Sequence, residues 1–372
     1  MNAIPLSLYV HFPWCVKKCP YCDFNSHALQ GELPAAEYID ALITDFNAEA
    51  GQDDRRSLAS IFLGGGTPSL FPPAEIKRLL EHVGERFDTR DIEITLEANP
   101  GTLDEGHFEG YLDAGINRLS IGAQSFSDEM LKTLGRIHQA DEIVRAVTAA
   151  RESGFARINI DLMYGLPGQT IEDCIADLDQ AISLGPDHIS WYQLTIEPNT
   201  YFHRFPPMRP SENAIAEFMA AGFERLASSG YQRYEISAFA KPLEESRHNL
   251  NYWQFGDYLG IGAGAHGKLS RQGEIVRTAK TRVPADYLKR QAPIVNRVPR
   301  DELLLEYLMN TLRLVDGFEL EDFAVRTGLP ESNIQSFLRS GLDRELLVRS
   351  GDRIRPSDRG LLFLNDLLLL AA

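Results

Sequence analysis

Along the first half of the chain, short stretches that alternate between apolar and polar residues are each followed by a longer stretch with apolar residues at helical spacing. Leu6-Ser-Leu-Tyr-Val-His-Phe12 alternates and is rich in strand formers. Residues 35–50 then place Tyr38, Leu42, Ile43 and Phe46 on one helical face. The pattern repeats. Strands are predicted over 58–63, 91–96, 118–123, 156–162 and 188–194, and helices over 73–87, 103–114, 141–153 and 170–184. Repeated strand–helix units imply an α/β fold whose parallel strands are joined by right-handed crossovers. Periodicity alone leaves two closures open, a barrel or an open doubly wound sheet.

The polar residues sharpen this picture. The cysteines after the first strand, Gly64-Gly-Gly-Thr67, Glu97, Gln124, Asp161 and Gln193 all fall at the C-terminal ends of successive predicted strands. In a βα barrel those ends share one face, and that face holds the site. A single such residue could simply cap the next helix; the whole set predicts one shared mouth. The later run Gly260-Ile-Gly-Ala-Gly-Ala-His-Gly267 contains a formal G-x-G-x-x-G, but a polar hairpin is predicted after it, with a strand over 274–278. A dinucleotide site needs a helix there, so these glycines are expected to close the barrel mouth.

The rest of the chain reads as a second unit. Residues 282–300 resemble a linker. Helices are predicted over 301–314, 320–327 and 331–340, then a hairpin of 346–349 and 353–356 about Ser350-Gly-Asp352, then a helix from about Ser357. That is a small winged-helix-like α+β domain, so the expected division is 1–281 and 282–372. A chain of 372 residues, 44% hydrophobic, can bury one large core and one smaller one.

Charge and export signals narrow the partners. The net charge of −16 argues against broad binding to nucleic acid or to an anionic membrane. Residues 301–372 carry 8 Arg against 13 Asp and Glu, a balance of −5, so a lid or docking role is expected of the winged helix rather than DNA reading. No basic leader precedes an apolar run, and the apolar tail 361–372 is cut by Asn365 and Asp366. A cytoplasmic protein with no integral membrane segment is expected, with peripheral membrane contact left open.

Three of the four cysteines lie in Cys15-Val-Lys-Lys-Cys19-Pro-Tyr-Cys22, a C-x3-C-x2-C spacing. Three thiolates on one loop can ligate three irons of a [4Fe-4S] cluster and leave the fourth iron open. Zinc is the rival, with His11 or His27 as a fourth ligand. A structural disulfide would leave one thiol over. Cys174, among Ile171, Ile175 and Leu178, reads as a small core residue. Around the mouth, the Gly64–Thr67 turn can bring backbone close to a ligand. Glu97 offers a carboxylate to a ligand cation, Asp161 can take a ribose hydroxyl, and Arg136 can meet a ligand carboxylate. His248, in His248-Asn-Leu-Asn-Tyr-Trp253, is either a histidine packed among aromatics or an axial haem ligand, with Tyr252 and Trp253 as flat apolar surface.

The cysteine loop resembles the signature of the radical SAM superfamily. Tyr9-Val-His-Phe-Pro-Trp-Cys15, Gly64-Gly-Gly-Thr-Pro68, Glu97-Ala-Asn-Pro100, Ser120-Ile-Gly-Ala-Gln-Ser-Phe126, Leu134-Gly-Arg136 and Asp161-Leu-Met-Tyr-Gly-Leu-Pro-Gly168 resemble its oxygen-independent coproporphyrinogen III dehydrogenase branch over nearly the whole chain. The resemblance implies a partial (β/α)6 TIM-like barrel. It also implies a [4Fe-4S] cluster on Cys15, Cys19 and Cys22 whose open iron chelates S-adenosylmethionine, and an electron donor such as a flavodoxin or ferredoxin. Tyr9, Tyr21, Gly65, Gly66, Thr67, Glu97, Gln124, Arg136, Asp161 and His266 match that branch's S-adenosylmethionine contacts. Two departures matter. The dehydrogenases carry a fourth cysteine two residues after the third, where this chain has Phe24, and a longer N-terminal extension. The His248–Trp253 segment instead resembles the motif of the branch's haem-chaperone sister group. That implies haem as cargo with His248 as ligand, a haem-acceptor protein as partner, and no porphyrinogen decarboxylation.

Overall fold

The structure, a computed structural model, describes residues 4–51, 56–102, 107–271, 273–289 and 291–371. Strand β1 (Leu6–Phe12) leads into the cysteine loop, which is bracketed by two short parallel strands, β2 (Trp14–Cys15) and β3 (His27–Ala28). Strands β4 (Leu58–Gly65), β5 (Glu93–Ala98), β6 (Arg118–Gln124), β7 (Arg157–Tyr164) and β8 (His188–Gln193) then follow β1 side by side, all parallel. The predicted strands are therefore present and in chain order.

Both edges of this parallel core are extended. Next to β8 lie the antiparallel β10 (Ala238–Ala240) and β9 (Gln232–Glu235). On the other side β11 (Asp257–Ile261) pairs parallel with β1, followed by the antiparallel β12 (His266–Arg271), β13 (Glu274–Ala279) and β14 (Ile294–Arg297). Among the described residues β9 and β14 do not pair, so the sheet curls without closing into a full barrel. Residues 282–300 are thus not a bare linker: the helix Pro284–Leu288 and β14 occupy much of the stretch. The strand β12 follows the glycine run directly, which excludes a dinucleotide-binding turn there.

The crossover helices cover the outer face because their apolar residues recur at helical spacing. In Pro73–Arg86, Ile76, Leu79, Leu80 and Val83 are buried, and Pro73 occupies the first turn, where its missing N–H costs nothing. Ile171–Ser183 starts at a capping box: the Thr170 hydroxyl accepts from the Asp173 N–H, and Asp173 accepts from the Thr170 N–H. Cys174 packs in this core, and burial pushes its thiol up to about 12. Of the helix predicted over 103–114, residues 103–106 lie outside the described residues, and the observed element is His107–Asp113.

Strand parity decides what the inner face carries. In β6, Leu119, Ile121 and Ala123 pack outward into the core, so Arg118, Ser120 and Gly122 point inward. The same parity puts Asn159 and Asp161 of β7, and His188, Ser190 and Tyr192 of β8, on the inside. There Asn159 bonds Ser120, Asp161, His188 and Ser190. Beneath them Glu93 pairs with Arg118 at 3.6 Å and Arg157 at 3.3 Å. Such a layer is tolerable because its charges pair, although Glu93 Oε2 and Arg118 Nη2 are buried without a hydrogen bond. Glu93 also accepts from the Ser246 hydroxyl and the His248 N–H, which fixes the first turn of the helix Arg247–Trp253 across the inner face.

The C-terminal region has its own core: Leu303, Tyr307, Phe323, Ile334, Phe337, Leu347 and Ile354 cluster together. Helices Leu303–Thr311, Leu320–Thr327 and Gln335–Asp343 accompany a small sheet of β15 (Phe318–Glu319), β17 (Arg353–Pro356) and β16 (Leu347–Ser350), the winged-helix-like arrangement expected. Phe255, just after the Arg247–Trp253 helix, joins this second core against Tyr307. Among the described residues no helix is long and apolar enough to cross a membrane.

Candidate functional site

Two cavities open at the C-terminal end of the parallel strands. The first, of about 730 Å³, is lined by Cys15, Cys19, Tyr21, Cys22, Gly65, Gly66, Thr67, Glu97, Gln124, Arg136 and Asp161, together with Asn99, Ser120, Phe24 and Tyr192. Eleven of the site residues predicted from sequence therefore share one space, although they come from six separate segments. Tyr9, His248 and His266 do not lie there. They line a neighbouring cavity of about 1070 Å³ with His11, Tyr252, Tyr258 and Arg282. Phe24 and Gly65 border both.

The three thiols are half-buried on one loop, held by backbone bonds from Cys22 N–H to Cys19 O (3.2 Å) and Leu29 N–H to Cys15 O (2.8 Å). Burial raises the Cys15 and Cys22 thiols, so in the ligand-free protein they stay protonated and a metal must displace the protons. Arg136 donates to Cys19 Sγ at 3.6 Å, and its Nε is buried without a partner. Among the described residues no three His, Cys, Asp or Glu side chains converge as a single metal ion requires. A cluster imposes no such convergence, since each thiolate ligates its own iron. Nor is a histidine ready as a fourth zinc ligand. His11 Nε2 donates to the Asn25 carbonyl at 2.9 Å, its Nδ1 sits 2.9 Å from the Tyr9 hydroxyl, and His27 Nε2 donates to the Arg282 carbonyl at 3.2 Å. The donor set fits a [4Fe-4S] cluster better than zinc.

The Gly64–Thr67 turn packs more tightly than ligand approach alone demands. Gly65 has φ 111°, and a Cβ there would sit 2.4 Å from the His11 ring. A Cβ on Gly66 would meet the carbonyl oxygens of Trp14 at 2.6 Å and Phe12 at 2.7 Å. The glycines let the end of β4 close onto the start of the cysteine loop. The Gly65 N–H donates to Glu97 Oε2 at 2.9 Å. Burial, and then the charge of Asp161, raise Glu97 to about 7 despite that bond. Asp161 is also raised by burial, opposed by hydrogen bonds from Asn159, Ser190 and Ser120. Two buried carboxylates, one raising the proton affinity of the other, are prepared for a positively charged or hydroxyl-rich ligand. Gln124 holds a left-handed φ of 71° at a bulge, where its Oε1 accepts from the Tyr192 hydroxyl at 2.8 Å.

In the second cavity His248 stacks on Phe62 (ring centroids 4.5 Å apart) and faces Tyr9 at 6.1 Å. Its Nδ1 has no hydrogen-bond partner, and burial lowers its pKa to about 4. A neutral imidazole on a cavity wall is of the chemical type that ligates a metal. Tyr252 lines the cavity as expected. Trp253 does not: its ring lies under the Arg313 guanidinium, 4.4 Å away. His266 is exposed at the cavity rim, and its pKa is lowered by burial and then by Arg277 and Arg282.

Sequence reasoning also missed some lining residues. Tyr192 lines the first cavity where Gln193 was expected. Parity could have found it, since Tyr192 shares the inward face with His188 and Ser190. Arg282 and Tyr258 carried no local signal.

Comparison with known proteins agrees with this geometry. Residues 9–181 match the Radical SAM superfamily and residues 298–363 match the HemN C-terminal domain. The chain is 48% identical to the heme chaperone HemW of Haemophilus influenzae, over 98% of this chain and 97% of that one. It is 47% identical to the heme chaperone HemW of Escherichia coli, over 98% of each chain. Among solved structures it resembles coproporphyrinogen III oxidase (HemN) from Escherichia coli, a radical SAM enzyme, with a TM-score of 0.83, 25% identity, and coverage of 99% of this chain and 90% of that one. With three thiols, a polar strand-end cavity and near full-length identity all pointing the same way, the chain belongs to the heme chaperone HemW family of the radical SAM superfamily.

Proposed function

We propose that this protein is a cytoplasmic haem carrier with two adjoining ligand sites, one for a [4Fe-4S] cluster with S-adenosylmethionine and one for haem. The observation that carries this reading is the shared wall. A cavity bearing three thiols lies directly beside a cavity bearing a neutral, unpartnered imidazole, with Phe24 and Gly65 between them.

In the first site Cys15, Cys19 and Cys22 hold the cluster. When bound and reduced, the cluster supplies one electron to the sulfonium of S-adenosylmethionine. The chain's own residues position the ligand. The Gly64–Thr67 turn and Glu97 receive its amino group, Arg136 its carboxylate, and Asp161 a ribose hydroxyl, while Gln124, Tyr21 and Thr67 complete the walls. Tyr9 and His266 act from the neighbouring cavity. In the second site the cavity-lining imidazole of His248 ligates the haem iron, and Tyr252 and Tyr258 supply flat apolar surface. A single-electron donor protein and a haem-acceptor protein complete the partner set. The winged-helix-like region that follows β14 serves as a lid or docking element rather than a DNA reader.

The test is haem titration of the reconstituted protein. The wild type gives a saturable Soret shift, and His248→Ala weakens it at least about tenfold with cluster content unchanged. A second reading, oxidation of coproporphyrinogen, is favoured by the HemN-like fold and opposed by Phe24 at the fourth-cysteine position. Incubation with dithionite, S-adenosylmethionine and coproporphyrinogen gives no vinyl product on the carrier reading. Appearance of that product would replace it.

A further inference from the structure

The geometry points to Arg282 as the anchor for a carboxylate of the macrocycle held by His248, so that this cavity recognises an acidic tetrapyrrole and not a neutral one. The inference rests on the haem reading above. Among the described residues lining the second cavity, Arg282 alone carries a permanent positive charge. Its position is set by its backbone. The Arg282 carbonyl accepts from Asn25 Nδ2 at 2.9 Å and from His27 Nε2 at 3.2 Å, which ties it to the cysteine loop. Its side chain makes one long bond, Nε to Asn25 Oδ1 at 3.4 Å. Among the described residues no carboxylate lies within ion-pair distance of its guanidinium, which leaves its terminal donors facing solvent and the cavity.

Its neighbours contrast with it. Arg277 is consumed by Glu306 and the Tyr258 hydroxyl. Lys280 is consumed by Asp45 and Glu49. Among the described lining residues Asp23 is the sole acid; it is exposed, forms no ion pair with Arg282, and repels any carboxylate that approaches its side. A guanidinium fork with open donors beside a wall of Tyr9, Tyr252 and Tyr258 suits a flat apolar ring with a carboxylate at its edge. The division of labour follows. His248 reads the metal, the aromatic wall reads the ring, and Arg282 reads the acidic edge.

The experiment compares ferric haem with its dimethyl ester, both presented in the same detergent, by Soret titration of the full chain. The wild type binds the acid about tenfold more tightly than the ester. Arg282→Gln weakens the acid by that factor, leaves the ester unchanged, and so abolishes the preference; Arg282→Lys retains part of it. Iron and sulfide content of Arg282→Gln stays at the wild-type level, because the bonds that hold the cysteine loop come from the Arg282 carbonyl. Equal wild-type affinities, or a preference that survives Arg282→Gln, overturn the anchor and leave the haem reading standing. A wild type that binds neither compound overturns both.

Discussion

The two cavities share a wall but differ in almost every other respect. The first is polar, is built from the ends of successive parallel strands, and rests on an internal network in which Ser120, Asn159 and Asp161 bond one another. The second is aromatic, adds to β1 and the cysteine loop one short helix crossing the sheet and the return strands β11 and β12, and holds the His248 imidazole beside the Arg282 fork. The difference is a division between a site preorganised for a small, charged and hydroxylated ligand and one prepared for a large flat ligand with a metal at its centre.

Breaking one site should spare the other, and the largest effect comes from the loop. Replacing Cys15, Cys19 and Cys22 together by Ala should reduce bound iron and sulfide to background in an anaerobic assay, whereas each single His248 or Arg282 variant keeps the wild-type content. A smaller effect is expected from pH. With Glu97 at about 7, S-adenosylmethionine binding should weaken up to about tenfold between pH 8 and pH 6, because protonation removes the carboxylate that receives the ligand cation. Glu97→Gln should bind weakly at both pH values in calorimetry. The same shift has a stability sign. A carboxyl raised in the fold binds its proton more tightly there than in the unfolded chain. Its contribution is therefore present below about 4.5 and is lost as pH rises through about 7. The ligand-free wild type should lose more thermal stability between pH 6 and pH 8 than Glu97→Gln. The smallest change is packing where the end of β4 meets the start of the cysteine loop. Gly66→Ala drives a methyl into two backbone carbonyls and should cost about 1–3 kcal/mol in denaturant unfolding.

The same contrast explains how much the sequence could reveal. The first cavity was legible because its code is local. A strand of period two ends in a polar residue, the next unit repeats it, and parallel crossovers bring all the ends to one face. Where the local code was read one residue off, as with Gln193 for Tyr192, the inward parity of β8 supplies the correction. The second cavity depends on pairing across the chain. Strand β11 lies against β1 some 250 residues away, and nothing in either segment names its neighbour. His266 and Arg282 reach the cavity only through that pairing. Trp253 shows the limit of a motif. Its neighbour Tyr252 faces the cavity, while Trp253, one residue on, sits beneath Arg313 of the C-terminal region. The stretch 282–300 misled for a related reason. An exposed edge strand such as β14 has no buried face to impose a pattern, so it reads as linker.

The independence of the two sites is tested most directly by titrating ferric haem into the Cys15, Cys19 and Cys22 triple Ala variant beside the wild type. The account predicts the same saturable Soret shift with the same midpoint in both, iron and sulfide being absent from the variant. Loss of haem binding in a variant that remains folded by circular dichroism would contradict it, and would mean that the thiols, not His248, hold the haem.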